Sequence, residues 1–328
     1  MSLDQLDTAI VHALDVDGRA TYARIGSVLG VSTQTVARRC RRLRDTAGLR
    51  VIGLPDPEQA GLTRWLLRIT AAPAGARGLA DSLVRRGDTQ WVKLVSGGTE
   101  IFAIVNATDD GDSARAMLLH DLPRTASVHA VRAHCLLHSY FGGPSAWRGR
   151  RDSLDEAQQA ELTEPQPRMP FAQIRPLHAG DGPLLTALQR DGRASHVELA
   201  QATGWSQATV AHRLAELRSA GSIYFDLEID AAEYGVRTHA MLWLAVEPAH
   251  LDTVARELAE HPEVAFVGAI TGPSNLMVNA LCGTPAELHA YLVTRIGRID
   301  GIRGVETTPV LRTLKASSPI PDRRRSHP

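Results

Sequence analysis

The chain has 328 residues, 44% of them hydrophobic and 22% charged, which describes a globular protein able to bury several cores. Its 36 Lys and Arg balance 36 Asp and Glu, so no overall basicity announces a nucleic-acid partner, and any such claim must rest on local charge. Cys40, Cys135 and Cys282 are widely spaced and odd in number, which argues against a disulfide framework or a metal cluster and suits a reducing cytoplasm. No apolar run approaches membrane length, and the opening MSLDQLDTAI is acidic where a signal peptide needs positive charge, so a cytoplasmic protein with no membrane partner is expected.

Residues 2–16 place Leu6, Ile10 and Leu14 four apart, predicting a helix that Ser2 and Gln5 would open as a capping box. Asp17-Gly18 ends it, Thr21 is placed to cap a second helix carrying Ile25 and Leu29, and Gly30 stops that one. Ser32 then caps STQTVARRCRRLR (32–44), where Val36, Cys40 and Leu43 form one apolar stripe. Around the stripe stand Arg38, Arg39, Arg41, Arg42 and Arg44, with no acidic residue among them. Three short helices, the last two joined by a tight glycine turn, are a helix-turn-helix signature. A short strand over 50–54, broken by Pro55 and Pro57, closes a headpiece spanning 1–54.

The period changes over 60–141. Strand candidates at 64–71, 90–96, 100–106 and 127–141 alternate with helical patterns at 74–86 and 112–120, and Gly97-Gly98 marks a hairpin. The order βαββαβ predicts a ferredoxin-like α+β domain: one antiparallel sheet with two helices on one face. Residues 142–179 are turn-rich, then polar with room for one helix, then proline-rich, and read as a linker.

The second half repeats the first. Asp191-Gly192-Arg193-Ala194 echoes Asp17-Gly18-Arg19-Ala20 at an offset of 174, and Gly204, Ser206 and Thr209-Val210-Ala211 match Gly30, Ser32 and Thr35-Val36-Ala37. Val210, Leu214 and Leu217 preserve the apolar stripe, and Ser195 with Glu198 supplies a capping box. A second helix-turn-helix domain is expected over 180–229 and a second ferredoxin-like domain over 234–316, followed by a disordered basic tail at 317–328. Arg323, Arg324 and Arg325 in that tail are either solvated or an extra hold on DNA.

Recognition helices of this kind present their first turns to the major groove. Thr33, Gln34, Thr35 and Arg38 are the candidate base contacts, since Gln can pair with adenine and Arg with guanine. Arg39, Arg41 and Arg42 are the candidate phosphate contacts. Gln207, Thr209, His212 and Arg213 are the matching candidates in the second, less basic helix, so the first head is expected to grip harder. The competing explanation of the basic helix is a solvated charged face. Asp-Gly-Arg in each headpiece reads as a turn, with phosphate contact by Arg19 and Arg193 as the alternative. Cys40 reads as packing, against redox sensing, and His129, His134 and His138 give no ligand set, so neither a metal nor a cofactor is expected.

LDVDGRATYARIGSVLGVSTQTVARRCRRLRDTAG (14–48) and LQRDGRASHVELAQATGWSQATVAHRLAELRSAG (188–221), each followed by a βαββαβ pattern, resemble the Lrp/AsnC family of transcription regulators. The resemblance covers almost all of the chain except linker and tail, and the fused tandem departs from the usual single unit. It implies a DNA-binding regulator whose α+β (RAM) domains pair through their sheets, associate further as homo-oligomers, and sense an amino acid or related small metabolite. In VKLVSGGTEIFAIV and GAITGPSNLMVNAL, it places the effector positions at Gly97, Glu100, Gly272 and Asn275, where the family's aspartate is replaced by Glu100 and Asn275. The two halves are expected to pair within one chain and read two half-sites on double-stranded DNA, with pairing between chains left open by the long linker. The rivals are a sirohaem-decarboxylase-like enzyme built on the same unit, and a metabolite sensor with inactive headpieces.

Overall fold

The computed structural model describes residues 3–57, 59–108, 117, 121–142, 153–163 and 177–317. The expected helix over 112–120 lies almost wholly outside these residues, as does the basic tail from 318 onward. The chain forms two compact units that gather like with like: residues 1–60 with 142–236, and residues 61–141 with 237–328.

The first unit holds both headpieces. In the first, α1 (Gln5–Val16), α2 (Tyr22–Leu29) and α3 (Thr33–Ala47) lead to β1 (Arg50–Pro55). Asp4, not the expected Ser2, caps α1, in a capping box with Asp7. Thr21 and Ser32 cap α2 and α3, and Gly30 closes α2 in the left-handed region at φ 66°. Ile10, Leu14, Ile25, Val36, Cys40 and Leu43 share the core. The second headpiece repeats the plan with α6 (Gly182–Arg190), α7 (His196–Thr203), α8 (Gln207–Ser219) and β6 (Ile223–Glu228), around Leu184, Leu188, Leu199, Val210, Leu214 and Leu217.

Strands β1 and β6 pair antiparallel, from Arg50 opposite Glu228 to Pro55 opposite Ile223. Two short exit strands, each too small to form a sheet alone, thus complete one another. Within the expected linker, α5 (Glu156–Leu162) adds a cover to the first head. Leu154 and Leu162 enter its core, the His12 Nδ1 accepts the amides of Ser153 and Leu154, and Arg24 Nε donates to the Glu161 carbonyl at 2.8 Å.

The second unit contains β2 (Leu62–Ala71), α4 (Pro73–Arg85), β3 (Thr89–Val95), β4 (Glu100–Thr108) and β5 (Val128–Phe141). The repeat supplies β7 (Thr238–Val246), α9 (Leu251–Ala259), β8 (Val264–Ile270), β9 (Leu276–Cys282), α10 (Pro285–Thr294) and β10 (Ile302–Thr313). Each half makes the four-stranded ferredoxin-like sheet expected of it, but the two sheets join into a closed barrel ordered β10-β3-β4-β2-β5-β8-β9-β7. The seams are equivalent: Leu136 sits opposite Ile270, and Val310 opposite Val95. Closure pairs every edge strand and gives each sheet a second buried face. Leu66, Phe102, Ile104, Met241, Trp243 and Ile270 fill the interior, while Leu67, Ile69, Leu83 and Leu242, Leu244, Leu258 line the helix-covered exterior.

Candidate nucleic-acid interface and ligand-binding barrel

The first turns of α3 and α8 are built alike. Ser32 Oγ accepts the Thr35 amide at 3.1 Å and contacts the Thr35 hydroxyl at 2.9 Å; Ser206 and Thr209 repeat this at 3.1 and 2.8 Å. The threonine hydroxyls therefore extend the cap as well as facing outward. Thr33, Gln34, Arg38 and Arg41 are exposed and Thr35 partly so; on α8, Gln207, Thr209 and His212 are exposed. Burial pushes the Cys40 thiol pKa up, which keeps it protonated as a packing group.

Three of the expected DNA contacts are engaged inside the protein. Arg39 bonds Asp4 and Asp7, the latter at 3.1 Å, and Arg42 bonds Asp7. Asp7 is only 1% exposed, so its charge needs these partners, and the two arginines tie α3 to α1. Arg213 is itself 1% exposed: it bonds Asp181 through Nε at 2.9 Å and Nη2 at 2.7 Å, and Glu216 through Nη1 at 2.8 Å. It is a buried ion-pair centre and not a group presented to DNA. The offset of 174 maps Asp7 onto Asp181, Arg39 onto Arg213 and Arg42 onto Glu216. One head satisfies a buried acid with two arginines, and the other satisfies a buried arginine with two acids.

The Asp-Gly-Arg turns join the heads. Arg19 donates to the carbonyls of Gly192 at 2.5 Å and Ala194 at 3.0 Å; Arg193 donates to those of Gly18 at 2.6 Å and Ala20 at 2.8 Å. These arginines clasp the opposite headpiece, which corrects the phosphate alternative. The close approach requires glycine, since a Cβ on Gly192 would lie 2.9 Å from the Ile52 carbonyl carbon and one on Gly18 would lie 2.8 Å from Phe225. Replacing both Arg19 and Arg193 by alanine is expected to cost about 1.5–3 kcal/mol per arginine, the worth of hydrogen bonds from a charged donor. Urea unfolding measures this, and faster amide exchange along β1 and β6 should accompany it.

Inside the barrel the polar groups form two clusters. In one, Arg68 bonds Glu100 at 2.7 Å and Glu306 at 2.5 Å and lies 4.7 Å from the Trp243 ring centroid. Against the cost of burial, the hydrogen bonds to Glu306 and Glu100 raise the Arg68 pKa and hold it charged. His134 donates from Nδ1 to the Thr271 carbonyl at 2.6 Å, 5.3 Å from Trp243 ring to ring. The buried His134 Nε2 and Trp243 Nε1 have no hydrogen-bond partner among the described residues. Of the four effector positions, Gly97 (φ 82°) and Gly272 (φ 117°) make left-handed turns, and a Cβ on Gly272 would meet His134 at 2.8 Å. Glu100 is committed to Arg68, while the Asn275 amide takes the Val246 N–H and donates to its carbonyl, both at 2.8 Å. Neither side chain stands open to an effector as expected; the backbone at the end of β7 and the buried arginine have claimed them.

The other cluster has no signal in the sequence pattern. Lys93 on β3 is 3% exposed, with its Nζ 3.3 Å from His239 Nε2 on β7 and 5.2 Å from the Trp91 ring centroid. His239 also bonds Asn279 on β9. A bulge between Gln90 and Lys93 puts Trp91 at φ 51°, a conformation costing a bulky residue about 1–3 kcal/mol. Burial pushes the Lys93 pKa down to about 7, and burial followed by the Lys93 charge holds His239 well below its ordinary value. Between pH 7 and the ordinary lysine range the unfolded chain then binds more protons than the folded one, so stability should rise with pH across that window. A thermal melt series from pH 6.5 to 10 should show this rise, and Lys93→Met should flatten it.

Among the described residues, no group of three His, Cys, Asp or Glu is placed to hold a metal ion, and no helix is long and apolar enough to cross a membrane. The AsnC-type helix-turn-helix domain matches residues 3–44 and again 179–218, and the Lrp/AsnC ligand binding domain matches residues 239–320. The chain is 32% identical over 147 residues to HTH-type transcriptional regulator FL11 of Pyrococcus horikoshii, covering 97% of that protein with 44% of its own length. It is 29% identical over 142 residues to regulatory protein AsnC of Haemophilus influenzae, covering 95% of that protein. Each of these relatives thus corresponds to one unit of the tandem. The crystal structure of the sirohaem decarboxylase NirDL aligns with 95% of this chain at TM-score 0.64 and 11% identity, a likeness of fold. With a helix-turn-helix found in both halves and a whole regulator matched by less than half its length, the chain belongs to the Lrp/AsnC family of transcriptional regulators.

Proposed function

We propose that the chain is a built-in pseudo-dimer that reads two unequal half-sites on one DNA duplex. The observation that carries this is the joining of the heads: β1 pairs with β6, and Arg19 and Arg193 each clasp the opposite turn. Heads fixed to one another fix the spacing of the half-sites they can meet. Fusion replaces bimolecular pairing with an intramolecular one, and it frees the two helices to diverge. Thr33, Gln34, Thr35 and Arg38 read bases on one half-site and Gln207, Thr209 and His212 on the other, with Arg41 on phosphate. Such a protein works in the cytoplasm. A small metabolite modulates its grip through the α+β barrel. Genome-wide DNA capture followed by footprinting tests the reading: a protected site with two dissimilar halves is expected, bound by one chain per site. A palindromic footprint indifferent to exchange of the two heads would count against it.

The tandem fold shared with NirDL favours one other reading, an enzyme acting on a tetrapyrrole. The exposed arginines of α3 and the regulator relatives weigh against it. Titration with iron uroporphyrin separates the two, because an enzyme of that kind would take up the pigment and a regulator would show only salt-sensitive retention on heparin.

A further inference from the structure

We propose that the barrel interior around Lys93 is a binding site for a small 2-oxo acid, whose carboxylate meets the Lys93 ammonium beside His239 and Asn279. The inference stands on the barrel alone and does not depend on how the heads meet DNA.

The Lys93 ammonium has three N–H donors, and the nearest polar atom across the barrel, His239 Nε2 at 3.3 Å, is already engaged in donating to the Asn279 Oδ1. The Trp91 ring covers another side. No carboxylate pairs with Lys93 among the described residues, whereas Arg68 in the same barrel has two. A buried cation left without a counter-ion is costly, and binding sites are where proteins keep such groups. Trp91, His239 and Asn279 surround Lys93, and each keeps some accessible surface although Lys93 itself is 3% exposed.

The duplication supplies an internal control. The offset of 175 maps Lys93 onto Gly268, Trp91 onto Phe266 and Asn279 onto Ile104. At Gly268 the space is taken, since a Cβ there would meet Leu136 at 2.6 Å and Phe266 at 2.8 Å. Lys93 and its amide companion therefore have no counterpart at the related positions, while His239 is matched there by Arg64, which donates to the Ser139 hydroxyl at 2.9 Å. A 2-oxo acid fits better than an amino acid. The cluster offers a cation, an imidazole, an amide and aromatic walls, and no acid to receive an ammonium.

The test is calorimetric titration of the full chain at pH 6.5 with pyruvate, 2-oxoisovalerate and 2-oxoglutarate, against L-alanine and sodium chloride at matched ionic strength. Saturable binding of at least one oxo acid is expected, with quenching of tryptophan fluorescence, and at least tenfold weaker binding of L-alanine. Lys93→Met should lower the oxo-acid affinity at least tenfold while raising the melting temperature of the unliganded protein. Should that variant fail to fold, His239→Gln carries the same affinity readout. Failure of all three oxo acids to exceed the salt control, equal affinity for L-alanine, or unchanged affinity in both variants would overturn the proposal. None of these outcomes bears on the footprint.

Discussion

Replacing Arg213 by alanine should destabilise the second head by about 3–5 kcal/mol, the usual cost of breaking a buried ion pair from one side. Asp181 is fully buried and Glu216 nearly so, and the variant takes from both carboxylates the guanidinium that bridges them. They can respond by taking up protons, so the loss should shrink as the pH falls toward the carboxylate range. The equivalent change in the first head, Arg39→Ala, should cost less, because Arg42 still reaches Asp7 and the site is more open to water. Urea unfolding of the two variants measures the difference. A triple variant, Arg213→Met with Asp181→Leu and Glu216→Leu, should recover much of the stability, since apolar groups of similar volume often replace a buried ion cluster without loss. If Arg213→Ala instead left stability intact and abolished DNA binding, the residue would be a DNA contact after all.

That pair of variants shows where sequence reading succeeds and where it stops. Period and punctuation locate the helices: the stripe Val36, Cys40 and Leu43 is buried, and Thr21, Ser32 and Ser195 cap as their positions imply. Such signals are local, and the chain carries them residue by residue. The direction of Arg39, Arg42 and Arg213 is not local, because it depends on an acid some 32 residues earlier on another element. The offset between the copies holds the missing clue, since it aligns Asp7 with Asp181 and sets Arg42 against Glu216. Barrel closure is hidden for a similar reason. Each βαββαβ half is readable alone, but the edges that meet, β5 with β8 and β10 with β3, are set by the pairing of two domains. The polar interior follows from that closure, which is why Lys93, His239 and Arg68 give no signal in strands that otherwise read as apolar.

Removing Arg38 and Arg41 together should weaken DNA binding by about one to three orders of magnitude at physiological salt, while removing His212 should cost about tenfold or less. A base-reading arginine is worth about 1–3 kcal/mol of discrimination, and a phosphate-binding one adds a salt-dependent share. Both arginines are exposed on α3, where Arg39 and Arg42 are already held by Asp4 and Asp7. Few cations are therefore left to face phosphate on the first head, and each should matter. On α8, with Arg213 buried and Arg218 bonded to Asp17 at 3.3 Å, His212 is the exposed candidate, and it stands among the base contacts of that head. The slope of log affinity against log salt discriminates the two heads. It should flatten by about 0.9 in the double arginine variant, the share of the one phosphate that Arg41 no longer neutralises, and stay unchanged in His212→Ala, which removes a base contact. Fluorescence anisotropy on the captured operator, read across a salt series, gives both numbers. Equal losses from the two heads would mean that the grip is shared evenly, and that the charge carried by α3 has no counterpart in function.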